Sequence, residues 1–169
     1  MENRVLGIDP GLAHIGLAVI GEEKQLITAT TLRNGKDGFG DLTSEAIACI
    51  EQGLTEAILR HESGPPPAWE VAIEDYSVFG FSGAIIRAAE MGEVIRLIIE
   101  YLVRELTMDR NQIFRYRSTD VRDYVCGNRR AKDAQVRECL GELGYTQRMN
   151  PHTRDALAVA LFHTREGVD

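Results

Sequence analysis

Three carboxylates in this sequence stand where a carboxylate is costly to bury. Asp9 ends the apolar run Val5-Leu6-Gly7-Ile8 and precedes the turn Pro10-Gly11, with Gly16 five residues after Gly11. Glu74 ends a second apolar run, Val71-Ala72-Ile73, and Asp155 opens the small and apolar stretch Ala156 to Phe162. A charge at the end of a buried strand is disfavoured without a partner, so Asp9 faces a cation, a hydrogen-bond cluster or a metal, unless it caps the turn. Neighbouring strand residues face opposite sides, so only one of Glu74 and Asp75 shares a face with Asp9. The alternation groups Ala72, Glu74 and Tyr76, and leaves Asp75 as a structural or solvated carboxylate. His152 and Asp155 are spaced i, i+3, which puts both on one face of the last helix. An acid near a helix N-terminus or a lone histidine often serves structure alone. Three carboxylates and an imidazole together would repel or strain one another unless cations neutralised them. Oxygen donors with one imidazole suit Mg2+ or Mn2+ better than Zn2+. Two such ions are a standard device for in-line attack on a phosphodiester.

The elements that must carry these residues are legible from pattern and punctuation. Arg4 to Asp9, His14 to Gly21 and Lys24 to Leu32 read as three strands of an antiparallel meander. Asp41 to His61 is an amphipathic helix that ends before Gly64-Pro65-Pro66-Pro67. Glu70 to Tyr76 is a fourth strand, Gly83 to Leu106 a long helix and Gln112 to Tyr116 a fifth strand. Ser118 is expected to cap a short helix through Val125, Lys132 to Leu143 forms the next, and Asn150-Pro151 starts the last, which runs to about Arg165. The order predicts an α/β fold with a five-stranded mixed sheet, three antiparallel strands first, and helices on both faces. Residues 1–169 are expected to form a single domain. The helix from Gly83 to Leu106 is apolar around much of its girth, which implies a second buried face, read as a homodimer interface in preference to burial inside one subunit.

Composition narrows the class. The chain has 169 residues, 44% hydrophobic and 27% charged, with a net charge of −7. Those values describe a globular chain with a substantial core rather than a disordered one. No apolar run approaches the ~18 residues of a membrane-spanning helix, so a cytoplasmic protein is expected. Cys49, Cys126 and Cys139 are odd in number and far apart, without disulfide or zinc spacing. The acidity is uneven: between Arg110 and Arg137 there are eight basic residues against three acidic ones. That sector could meet a polyanion although the body is acidic.

The series Gly7-Ile8-Asp9-Pro10-Gly11, Ile73-Glu74 and His152-Thr153-Arg154-Asp155-Ala156-Leu157-Ala158 resembles the RuvC family of Holliday junction resolvases, in the ribonuclease H-like superfamily. The stretch from Ser118-Thr119-Asp120-Val121-Arg122 through Gly127 to Val136 is similar to the family's DNA-binding segment. The likeness extends over nearly the whole chain. It implies a ribonuclease H-like fold and a homodimer that binds a four-way DNA junction and cuts two strands symmetrically with Mg2+, two ions per site, Mn2+ substituting. Carried over by position, Asp9, Glu74, His152 and Asp155 are the catalytic metal ligands. Asp9 is expected to be shared between the ions, with Glu74 on one and Asp155 and His152 on the other. His152 must be neutral to bind a cation, so activity should fall as it protonates. Arg117, Arg122, Arg129, Arg130 and Lys132 are the expected phosphate contacts.

Two departures from the family pattern matter. The aromatic residue that the family usually carries three positions after the strand glutamate is Ser77 here, with Tyr76, Phe79 and Phe81 around it as candidates to stack on bases at the crossover. The family's usual basic residue at the position of Asp133 is missing. A divergent, phage-type member with relaxed sequence choice fits both. The alternatives are a broader branched-DNA, flap or RNase H-like nuclease, an actin-like nucleotide-binding protein, and a metal-free junction binder.

Overall fold

The computed structural model describes residues 3–59, 68–75 and 82–165. Its strands are β1 (Asn3–Asp9), β2 (His14–Ile20), β3 (Leu26–Arg33), β4 (Ala68–Asp75) and β5 (Ile113–Arg117). They form one sheet in the order β3-β2-β1-β4-β5. β1–β2 and β2–β3 are antiparallel pairs, and β1–β4 and β4–β5 are parallel pairs, giving the mixed sheet expected from the sequence. The helices are α1 (Ser44–Leu59), α2 (Ser82–Arg104), α3 (Ser118–Cys126), α4 (Asp133–Glu142) and α5 (Pro151–His163).

Strand alternation divides the core in two. Leu6, Ile8, Leu17, Val71 and Ile73 point to one face, where they pack with Ile50 and Leu54 of α1 and Val94, Ile98 and Leu102 of α2. Val5, Ala18, Ile20 and Ala72 point to the other, against Val121 of α3, Val136 and Leu140 of α4, and the buried run Ala156–Phe162 of α5. Burial of these side chains at about 25 cal/mol per Å² is the main term holding the layers together.

The second core face is thinner, because small residues let α5 lie close to the sheet. A Cβ on Gly7 would stand 2.0 Å from the carbonyl oxygen of Ala156, and one on Gly16 would stand 2.1 Å from that of His152. α5 is also fastened at both ends. Its N-cap, Asn150, accepts from the Thr153 amide at 3.0 Å and donates to Thr31 of β3 at 2.6 Å. At the other end His163 is buried, with Nδ1 2.8 Å from the Tyr116 hydroxyl of β5 and Nε2 3.0 Å from a carboxylate oxygen of Glu70 on β4.

Several boundaries differ from the sequence expectation, each for a local reason. β3 begins at Leu26 because Lys24 has a positive φ in the turn closed between Gly21 and Gln25. α1 begins at Ser44, where the Thr43 hydroxyl accepts from the Ala46 amide at 3.2 Å. Ser118 does not cap α3: Arg117 holds the N-cap position, with no side-chain bond, and Ser118 is already helical. On α2, Met91, Val94, Ile95, Ile98 and Leu102 are buried, whereas Ile85 and Ile86 are 64% and 62% exposed, so this subunit does not enclose the helix.

Candidate active site

The parallel register of β1 and β4 pairs Gly7 with Ala72 and Ile8 with Ile73. The next residue on each strand is the acid, so Asp9 at the end of β1 stands level with Glu74, the penultimate residue of β4. Both follow the parity of Gly7 and Ala72 and therefore face α5. Gly7 and Gly16 admit the backbone of α5 against that face, and the first turn of the helix brings Asp155 to the two strand carboxylates. Carboxylate oxygens of Asp9, Glu74 and Asp155 lie within 4.8 Å of one another. Asp75 projects to the opposite face, where Arg115 pairs with it at 2.5 Å.

His152 joins through Asp9. Its Nδ1 is 3.0 Å from Asp9 Oδ2, and its ring stacks on that of His14 with centroids 5.0 Å apart. The side chains of Asp9 and Asp155 are only 15% and 17% exposed, so three acids share a site with little water to screen them.

The electrostatics follow from this crowding. The Glu74 carboxyl is pushed up to about 8, by burial first and by Asp9 and Asp155 next, against the pull of a Ser118 hydrogen bond and Arg122. Asp155 is raised to about 6, again chiefly by burial and then by Asp9, with Arg122 opposing. The hydrogen bond that His152 donates to Asp9 raises its imidazole above the ordinary value. Burial, His152 and Arg33 together lower that of His14. Without a cation, the site can hold its charge down only by keeping protons.

Ser118, His14 and the inward course of Arg122 are the parts that sequence reasoning missed. Ser118 begins α3 directly after β5, next to β4, which lets its hydroxyl reach Glu74. Arg122 is one turn further along α3; it donates to the carbonyl of Ala131 and lies 3.3 Å from Asp133 and 3.7 Å from Asp155. Its guanidinium thus lies between Asp133 and Asp155. Arg129 pairs with Asp123 at 3.4 Å and Asp120 at 3.8 Å. Arg117, Arg130 and Lys132 are exposed and form no ion pair among the described residues. Tyr76, Phe79 and Phe81 lie outside the described residues or have no described side chain.

The sequence matches the family described as crossover junction endodeoxyribonuclease RuvC over residues 5–163. The chain belongs to the RuvC family. It is 30% identical over 171 residues to the crossover junction endodeoxyribonuclease RuvC of Nitrosomonas eutropha, covering 97% of this chain and 85% of that one. The RuvC of Xanthomonas euvesicatoria pv. vesicatoria is 30% identical over 95% of this chain and 86% of its own. The Thermus thermophilus RuvC in complex with Holliday junction substrate superposes with a TM-score of 0.71 at 24% identity, over 95% of this chain and 92% of that one. That likeness establishes the ribonuclease H-like fold.

A RuvC family nuclease implies a divalent metal, and the donor set fits one. Three carboxylates from β1, β4 and α5 converge with oxygens alone, which suits a hard cation. Burial and the crowding of like charges raise the Glu74 and Asp155 carboxyls, the charge imbalance that a bound cation would relieve. Among the described residues, no helix is long and apolar enough to cross a membrane.

Proposed function

We propose that the chain is a structure-selective endodeoxyribonuclease that resolves four-way DNA junctions by paired, symmetric phosphodiester hydrolysis, acting in the cytoplasm as a homodimer. The observation that carries the reading is the convergence of Asp9, Glu74 and Asp155 within 4.8 Å in a chain of the RuvC family. The relatives named crossover junction endodeoxyribonuclease supply the reaction class, and the junction-bound Thermus RuvC supplies the substrate. The exposed Ile85 and Ile86 of α2 support an interface with a second copy.

Asp9, Glu74 and Asp155 would hold the cations, two Mg2+ per site with Mn2+ as substitute, and His152 would offer the fourth side chain. When bound, such ions supply an activated water and stabilise charge on the leaving oxygen. Within the chain, Ser118 fixes the Glu74 carboxylate, and the Asp9 carboxylate holds the orientation of the His152 ring. Arg122 keeps a positive charge beside Asp155, which favours its ionised form. Arg117, Arg130 and Lys132 are free to hold phosphates on either side of the scissile bond, whereas Arg129 must first exchange its aspartate partners.

The test compares labelled junction, flap, duplex and RNA–DNA hybrid in Mg2+, in Mn2+ and without metal. Symmetric junction cleavage that needs metal and is lost in Asp9→Asn, while junction binding in Ca2+ or EDTA persists, is the expected result. Retained Mg2+-dependent nicking by purified Asp9→Asn would refute the metal assignment, and equal cutting of flaps or hybrids would move the chain to a broader nuclease.

A further inference from the structure

Two adjoining cavities flank the first turn of α5. One, of about 570 Å³, runs along β3 and is closed by the segment leading into α5. The other, of about 470 Å³, opens between that segment, α4 and α5. Gln147, Arg148 and Met149 form the ridge that both share. Arg33 and Arg148 line the first, and Arg137, Arg148 and Arg154 the second. Neither lining contains an aspartate or glutamate, in a chain with 26 of them and a net charge of −7.

These arginines are not spent on the protein. Arg33, Arg137 and Arg148 are exposed and form no ion pair among the described residues. Arg154 donates to the Met149 carbonyl at 3.0 Å, which leaves its Nε buried and unpartnered. Four guanidiniums without counter-charges repel one another, and a polyanion laid across them relieves that repulsion. Guanidinium is also the side chain whose donor fork matches a phosphate.

A chain of contacts links the trough to the acid cluster. The β2–β3 register sets Arg33 opposite His14, whose ring stacks on His152, which in turn bonds Asp9. Successive residues of α5 turn by about 100°, so one turn divides the tasks. His152 and Asp155 face the acid cluster, Thr153 lines the first cavity and Arg154 the second.

We propose that this trough binds the sugar–phosphate backbone of a duplex DNA arm as it leaves the acid cluster, a phosphate-contact surface separate from Arg117, Arg130 and Lys132. The inference rests on the proposed function for the branched substrate, but the backbone contact itself requires no branch. It extends the basic surface to Arg33, Arg148 and Arg154, which lie outside the basic segment noted in the sequence.

The experiment uses the full chain and the double variant Arg137→Gln/Arg148→Gln, both exposed positions, with thermal unfolding to check the fold. Probes are a linear duplex and four-way junctions with short or long arms, titrated across salt concentrations without metal. Affinity for duplex and long-armed junction should fall about tenfold, and the log-log salt slope should become shallower by roughly two, about 0.9 per lost contact. Short-armed junctions should lose less. Unchanged affinity and slope on duplex and long arms, with wild-type junction cutting intact, overturns this surface alone. Equal loss on short and long arms places the arginines at the crossover and also overturns it. Inorganic phosphate that binds the wild type and not the double variant, with duplex affinity unaltered, marks a free-anion site instead. Loss of duplex affinity in a protein whose wild type ignores the branch upholds the trough and sinks the junction reading.

Discussion

Gly16 of β2 lies so close to α5 that a methyl group on it would stand 2.1 Å from the carbonyl oxygen of His152 and 3.1 Å from its Cβ. Gly16 is also the β2 residue paired with Asp9 of β1. The missing side chain therefore sets the distance between the strand that carries one acid and the helix that carries another.

Gly16→Ala should push the start of α5 away from the sheet. The expected outcome is a destabilisation of about 1–3 kcal/mol, as for other overpacked sites, and a loss of cleavage well beyond what the lost stability explains. Gly92→Ala on α2, where an added Cβ meets nothing within 4 Å, is the control and should raise the melting temperature slightly. Equal activity of the two variants at a temperature where both are folded would rule out a spacing role for Gly16.

The acid cluster predicts an unusual dependence of stability on pH. Folding raises the Glu74 carboxyl from 4.5 to about 8 and that of Asp155 from 3.8 to about 6. In the window between each pair of values the unfolded chain has released the proton and the folded chain has kept it. The contribution of both groups to stability therefore falls as pH rises, through about 6 for Asp155 and about 8 for Glu74. Metal-free protein should melt progressively lower from pH 5 to pH 8 relative to Glu74→Gln, by roughly 2–4 °C for each kcal/mol. Mg2+ should restore more at pH 8 than at pH 5, because it binds the ionised form. Melting curves in EDTA and in Mg2+ measure both, and a wild type that gains on Glu74→Gln as pH rises would contradict the cluster.

Ser118→Ala separates two readings of that hydroxyl. A hydroxyl that served only local packing would cost stability when lost and leave chemistry alone. The bond to Glu74 favours its ionised form, so its loss should raise the Glu74 carboxyl further and move the acidic limb of the pH–rate profile upward. Turnover near neutrality should drop about tenfold, the scale of one hydrogen bond to a charged group, and Ser118→Thr should recover most of it. A shift in melting temperature with an unmoved pH profile would return Ser118 to a structural role.

His152 titrates above its ordinary range because Asp9 accepts from it. The stabilisation from that pair is complete below 6.5 and is lost as pH rises through the elevated folded value. Imidazole NMR of the metal-free protein should show the raised midpoint, and Asp9→Asn should bring it down. An unaltered midpoint in Asp9→Asn would mean that other charges govern this ring.

How much could be read in advance depended on how local each signal was. Asp9 and Glu74 were legible because a carboxylate closing a run such as Val71-Ala72-Ile73 breaks the apolar pattern within a few residues. Asn150-Pro151 announced α5 by cap chemistry alone, and the meander followed from its turns. Ser118 was read as a cap because a serine before a helix ordinarily is one; only the β4–β5 pairing shows that its hydroxyl has a carboxylate to reach. His14 carries no motif, since its partner His152 is brought to it by the close approach of α5. The basic segment was visible as a count, but the count overstated its free charge, because Arg115, Arg122 and Arg129 are matched to aspartates distant in sequence or on a neighbouring turn.

The site is split between two layers: Asp9 and Glu74 belong to the sheet, while His152 and Asp155 belong to a helix laid on it, His152 standing 143 positions after its partner Asp9. Neither layer holds the whole cluster by itself, so the three acids converge only once α5 is seated on the sheet.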